Sequence, residues 1–80
     1  MASPLLSGLM DALRVLARDS TLPSYQRSLA AEQAIRGYLA TGQATRQQML
    51  DELDHEAAAG TGEFWDTVRE IIAQQRQTGR

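Results

Sequence analysis

Apolar side chains recur three and four positions apart along almost the whole of this 80-residue chain. That spacing places them on one side of an α-helix, whereas a half-buried strand would show strict alternation, which no stretch of the sequence does. The sequence therefore predicts an all-α fold. Turn-forming residues divide it into a compact bundle of about four short helices, which we place at residues 4–19, 23–40, 45–58 and 62–76.

Cap residues support these boundaries. Ser3 followed by Pro4 is typical of a helix start, with the hydroxyl as cap and proline at the first helical position. Gly42 predicts a left-handed end for the second helix. Thr45, with Gln48 three residues later, has the capping-box pattern at the start of the third helix.

A chain of this length has room for one domain, residues 1–80, with a thin core. It contains no cysteine, so its stability must come from regular helix packing or from a partner subunit. The first helix carries more apolar width than a thin bundle needs, with Leu6 and Met10 at one edge. Either the other helices cover that edge or a second copy does, so a homodimer is one alternative. In the second helix, the small residues Ala30, Ala34 and Gly37 would let a neighbouring helix approach closely, which favours a central position.

The formal net charge is -2, with all eight basic residues arginine and no lysine. This balance argues against nucleic acid as the main partner, because nucleic-acid-binding modules are usually basic. No stretch approaches the roughly 20 apolar residues of a membrane span, and no basic segment precedes an apolar one at the start, so we expect a cytoplasmic protein that binds no membrane. Abundant alanine and arginine are typical of GC-rich bacterial genomes, their plasmids and their phages.

Residues suited to catalysis are scarce, since His55 is the one histidine in the chain. A serine or threonine nucleophile would need such a base beside it, so we predict no enzyme activity, no catalytic residues and no cofactor. Glu52 and His55 have the spacing of di-metal ligands in helical bundles. They point away from the stripe of Leu50 and Leu53, however, so we predict a solvated polar face and no metal site. The glycines at residues 60 and 62 predict a plain turn, because the lysine and the strand of a phosphate-binding loop are missing.

One segment suggests an alternative function. Residues 35–53, IRGYLATGQATRQQMLDEL, resemble the helix, glycine turn and capped helix of helix-turn-helix DNA-binding regulators. The resemblance covers 19 of the 80 residues, and it implies that Arg46, Gln47 and Gln48 contact phosphates or bases. Acidic residues follow directly and would repel a phosphate backbone.

The remaining surface favours binding to another protein. We predict a small adaptor or inhibitor that occupies a surface of a partner, with apolar and aromatic anchors at Trp65, Arg69, Ile72, Met10 and Leu6. Carboxylates would set its electrostatic preference, through Asp51, Glu52, Asp54 and Glu56. Such an acidic surface could also mimic nucleic acid and dock on a basic groove. For Trp65, a place in the core and a place in an interface both remain open, as does stacking of the Arg69 guanidinium on its indole.

Overall fold

The computed structural model describes residues 3–78, and most of them are helical. Helix α1 spans Pro4–Arg18, α2 spans Ser24–Ala40, α3 spans Arg46–Ala57 and α4 spans Glu63–Thr78. No strand occurs within this part of the chain. The all-α class is therefore confirmed, and each helix begins and ends within two residues of its predicted position.

The predicted caps are present. The Ser3 hydroxyl accepts a hydrogen bond from the Leu6 amide at 3.1 Å. Thr45 and Gln48 form the reciprocal capping box, in which the Gln48 amide donates to Thr45 Oγ1 at 3.2 Å and the Thr45 amide donates to Gln48 Oε1 at 3.3 Å. Gly42 has a φ of 65° just after α2, a conformation that other residues adopt only with strain. These local interactions explain why the sequence locates the helix ends so closely.

Helix α2 lies centrally, as predicted, but Gly37 is exposed and a β-carbon there would meet no atom within 4 Å, so close approach at Gly37 is not the cause. It packs on α1 and α4 and also touches α3, while α3 packs mainly on α4. The inward sides of the helices meet in one apolar cluster. Its side chains with the least exposure come from all four helices, and they are Leu6, Leu13, Ile35, Met49, Leu53, Val68 and Ile72.

The helices are short. The longest, α2, has 17 residues, and a bilayer span takes about 20 apolar ones. Across residues 3–78, no helix has both the length and the apolar character needed to cross a membrane.

Candidate protein-binding surfaces

Three of the five predicted anchors lie in the core. Leu6 is 1% exposed, Met10 3% and Ile72 1%. Leu6 and Met10 are on the side of α1 that faces the other helices, and those helices cover it completely. The prediction that these three side chains contact a partner is therefore wrong, because the chain's own packing already buries them.

Trp65 is half-buried and packs against the core cluster. Its ring meets Phe64 edge to face, with centroids 5.5 Å apart and an interplanar angle of 87°. The indole also lies against Gly60, where an added β-carbon would clash with its ring atoms. Trp65 thus closes the turn between α3 and α4 and keeps part of its surface outside.

Arg69 holds the end of α3. Its Nη1 donates to the carbonyl oxygens of Ala57 and Gly60, both at 2.9 Å, and its Nη2 lies 2.6 Å from Asp66 Oδ1. Stacking of this guanidinium on the Trp65 indole is not seen among the described residues. The side chain therefore has a structural role at the end of α3 in addition to the partner contact predicted for it.

The predicted acidic patch on α3 is divided in two. Arg76 of α4 lies 2.8 Å from Asp51 Oδ1 and 3.5 Å from Asp54 Oδ2, and its hydrogen bond to Asp51 raises the pKa of Arg76. Glu52 and Glu56 form no ion pair within residues 3–78. An incoming partner would therefore meet Glu52 and Glu56 as uncompensated charges, and Asp51 and Asp54 as a pair whose two charges a single arginine halves.

Two of the three residues that the helix-turn-helix resemblance assigns to DNA contact form hydrogen bonds within the protein. Arg46 turns inward, where its Nη2 donates to the Gln75 backbone carbonyl at 3.1 Å and to Gln75 Oε1 at 2.7 Å. Gln48 is occupied in the capping box with Thr45. Only Gln47 is exposed without such a role in the described part of the chain.

The Glu52 and His55 side chains are exposed, on the outer side of α3. Between residues 3 and 78, no three histidine or carboxylate side chains lie close enough together to hold a metal ion.

The exposed large apolar side chains lie elsewhere. They are Leu5, Val15, Tyr25 and Leu29. Tyr25 and Leu29 are one turn apart on α2, with 69% and 54% of their surface exposed. The sequence carried a signal for Leu29, because Glu32 and Arg36 interrupt the apolar stripe between it and Leu39. Nothing comparable marked Tyr25 in the first turn.

Tyr25 and Leu29 border a concave surface between α2 and α4, which we name the α2/α4 groove. It has a volume of about 330 Å³. Its lining comes from both helices and comprises Tyr25, Ser28, Leu29, Glu32, Thr67, Glu70, Ile71 and Gln74. Ser28 and Thr67 also border an adjoining cavity of about 310 Å³ that reaches Phe64 and Trp65. Two adjoining depressions thus lie along α4, with apolar or aromatic side chains in each and Ser28 and Thr67 between them.

Carboxylates stand on both walls of the α2/α4 groove. On α2, Glu32 lies 4.0 Å from Arg36 Nη1, the limit of an ion pair. On α4, Glu70 has no ion-pair partner in the described chain. The arrangement can hold an apolar segment and attract cations beside it. No protein-family model, curated protein or solved structure matches this chain.

Proposed function

We propose that this protein is a small adaptor or inhibitor that binds another protein in the α2/α4 groove and thereby occupies part of its surface. The observation that carries the proposal is the pair Tyr25 and Leu29. They expose most of their surface one turn apart, beside the buried Ile71, where a partner's apolar side chains would remove them from water.

Single exposed apolar residues are ordinary on a protein surface. The α2/α4 groove differs because Tyr25 and Leu29 are neighbours that line a depression, and the polar residues Ser28 and Thr67 join this depression to the cavity at Phe64 and Trp65. Tyrosine and tryptophan are enriched among the residues that dominate binding energy, since a rigid ring buries a large area at a small entropy cost. Trp65 keeps a role as an anchor in this proposal, at the end of the groove.

The charges beside the groove indicate which residue types a partner segment should carry. Glu32 and Glu70 flank the apolar floor, and the whole chain carries a net charge of -2. A partner segment with apolar residues bordered by arginine or lysine matches this pattern. The attraction would speed association and discriminate against acidic proteins.

Site-specific photocrosslinking tests the proposal. A benzophenone amino acid replaces Tyr25 in one variant and Gln47, an exposed residue of α3, in the control variant. Each variant is irradiated in an extract of the source organism. We expect a discrete adduct with one other protein from position 25 and none from position 47.

A second substitution distinguishes specific binding in the groove from non-specific association. Leu29→Asp, added to the Tyr25 variant, should abolish the adduct, whereas Ala73→Asp on the exposed surface of α4 should leave it unchanged. Equal labelling from positions 25 and 47, or an adduct that survives Leu29→Asp, would refute the proposed function.

A further inference from the structure

The two walls of the α2/α4 groove have the same residue spacing. The α2 residues that line it stand at positions i, i+3, i+4 and i+7 of the helix, and they are Tyr25, Ser28, Leu29 and Glu32. The α4 residues that line it repeat this spacing, and they are Thr67, Glu70, Ile71 and Gln74. Residues at these positions lie on one side of a helix over two turns. Each wall is therefore a single helical row about 10 Å long.

Helices α2 and α4 run in the same direction along the groove. Ser24 and Glu63, the first residues of the two helices, both border the adjoining cavity at Trp65. Glu32 and Gln74, further along the same helices, both border the groove. A depression between two such rows is the shape into which a third helix packs in a helical bundle, because ridges of side chains on one helix fit the grooves of its neighbours. The shape of the groove therefore suits a helix.

An extended segment would suit the groove less well. Both walls are α-helices, whose backbone amides and carbonyls bond within their own helix. Recognition of a peptide as an added strand needs the free edge of a sheet, and no strand occurs within residues 3–78. Against Tyr25 and Leu29, an extended backbone would leave polar groups without partners, whereas a helix bonds its own. A helix is thus the occupant that keeps its backbone satisfied here.

The two rims of the groove differ in chemistry. On α2, the exposed side chains at the rim are Tyr25 and Leu29. On α4, Glu70 is exposed and has no ion-pair partner within residues 3–78. Glu32, at the far end of the α2 row, already has Arg36 at 4.0 Å, so Glu70 is the stronger attraction for an incoming cation. The rims therefore favour an occupant that is apolar towards α2 and cationic towards α4.

On the basis of the function proposed above, we propose that the partner segment in the α2/α4 groove is an amphipathic α-helix with one basic edge. Apolar residues at three- and four-residue spacing contact Tyr25 and Leu29, and arginine or lysine on the adjacent edge pairs with Glu70. A second copy of this chain, docked groove to groove, would double the carboxylates in the contact without adding a cation, since no arginine lines the groove. Charge therefore favours a different protein as the source of the helix.

The crosslink from position 25 leads to the test. The adduct is digested, the linked segment is identified by mass spectrometry, and a synthetic peptide of about 15 residues, or four helical turns, copies it. Circular dichroism of the peptide mixed with the wild-type protein should show more helix than the sum of the separate spectra. Fluorescence anisotropy of the labelled peptide gives its Kd.

Glu70→Gln tests the basic edge. It should raise the Kd of the peptide about two- to fivefold at low salt, as the loss of one exposed ion pair does, and should make binding less sensitive to salt. Glu52→Gln is the matched control, because Glu52 is an exposed carboxylate of α3 with no ion pair in the described chain. It should leave the Kd unchanged.

The outcomes distinguish this proposal from the proposed function. Absence of an adduct from position 25, or an adduct between two copies of this chain, refutes the proposed function and this proposal together. An adduct whose linked segment is acidic, or a peptide that binds without gaining helix, overturns this proposal alone. Equal Kd values for Glu70→Gln and Glu52→Gln also overturn it, and in both cases the groove remains a binding site for another protein.

Discussion

Nη1 of Arg69 on α4 lies 2.9 Å from the carbonyl oxygen of Ala57, the last residue of α3. The same nitrogen also binds the Gly60 carbonyl in the following turn. One cation thus adds a second donor to the Ala57 carbonyl, which already accepts from the Gly60 amide at 3.0 Å, and gives the Gly60 carbonyl a donor, so it fixes α4 against the end of α3. Arg69 is for this reason a structural residue of the bundle.

Arg69→Met should lower the free energy of unfolding by about 1 to 3 kcal/mol, because it removes two charge-assisted hydrogen bonds and leaves the Gly60 carbonyl without its donor, although the Ala57 carbonyl keeps its bond from the Gly60 amide. Asp66→Asn breaks only the exposed ion pair to Arg69 and should cost about 0.5 kcal/mol. Urea unfolding followed by circular dichroism measures both. Equal losses for the two variants would show that the bonds to α3 contribute little.

Gly60 and Trp65 should be energetically coupled. Gly60→Ala forces a β-carbon into the indole, which we expect to cost about 1 to 3 kcal/mol, as overpacking does in other cores. In a Trp65→Leu background the ring is absent, so the same substitution should cost less than about 1 kcal/mol. A double-mutant cycle by urea unfolding measures the difference. Additive effects would contradict the close contact between the two residues.

Arg46 should matter for stability and Gln47 should not. Arg46→Met removes two hydrogen bonds to Gln75, but it also removes a buried Nε that has no hydrogen-bond partner in the described chain. The two effects partly offset, and we expect a net loss of about 1 kcal/mol. Gln47→Ala should stay within about 0.5 kcal/mol of the wild type. Comparable stability of both variants would show that Arg46 is not held by α4.

The buried Tyr38 should lower the free energy of unfolding at alkaline pH. Its hydroxyl is buried without a hydrogen-bond partner in the described chain, and burial raises its pKa. In the unfolded chain a tyrosine loses its proton near pH 10. This contribution to stability is therefore complete below about pH 10 and is lost as pH rises through the higher pKa of the folded state, because the unfolded chain releases its proton first.

Tyr38→Phe should remove this alkaline loss and raise stability by up to about 1 kcal/mol at neutral pH, since it deletes an unsatisfied polar group. The exposed Tyr25→Phe serves as the control and should leave the pH dependence unchanged. Urea unfolding between pH 7 and pH 11 gives the comparison. Identical curves for wild type and Tyr38→Phe would contradict the burial argument.

The sequence predicted the helices well because their ends depend on neighbouring residues. Ser3, Gly42 and the pair Thr45 and Gln48 act within three positions along the chain, so their roles can be read locally.

The surfaces could not be predicted in the same way. A helical wheel shows that the apolar arc of α1 is broad, but it cannot tell which edge the rest of the chain covers, so Met10 was taken for the exposed edge and Leu5 was missed. The commitment of Arg46 to Gln75, and of Arg69 to Ala57, depends on residues 29 and 12 positions away. In the sequence, the charge of Arg46 and Arg69 suggested that they bind a partner, because their hydrogen bonds to distant residues cannot be predicted without the fold.

The central claim is that a partner protein binds in the α2/α4 groove. Hydrogen exchange measured by mass spectrometry, on the protein alone and with the crosslinked partner purified and added, tests it most directly. We predict slower exchange at residues 24–32 and 67–74 on binding, with residues 46–57 of α3 unchanged. Protection confined to α3, with none along the two walls of the groove, would contradict the account.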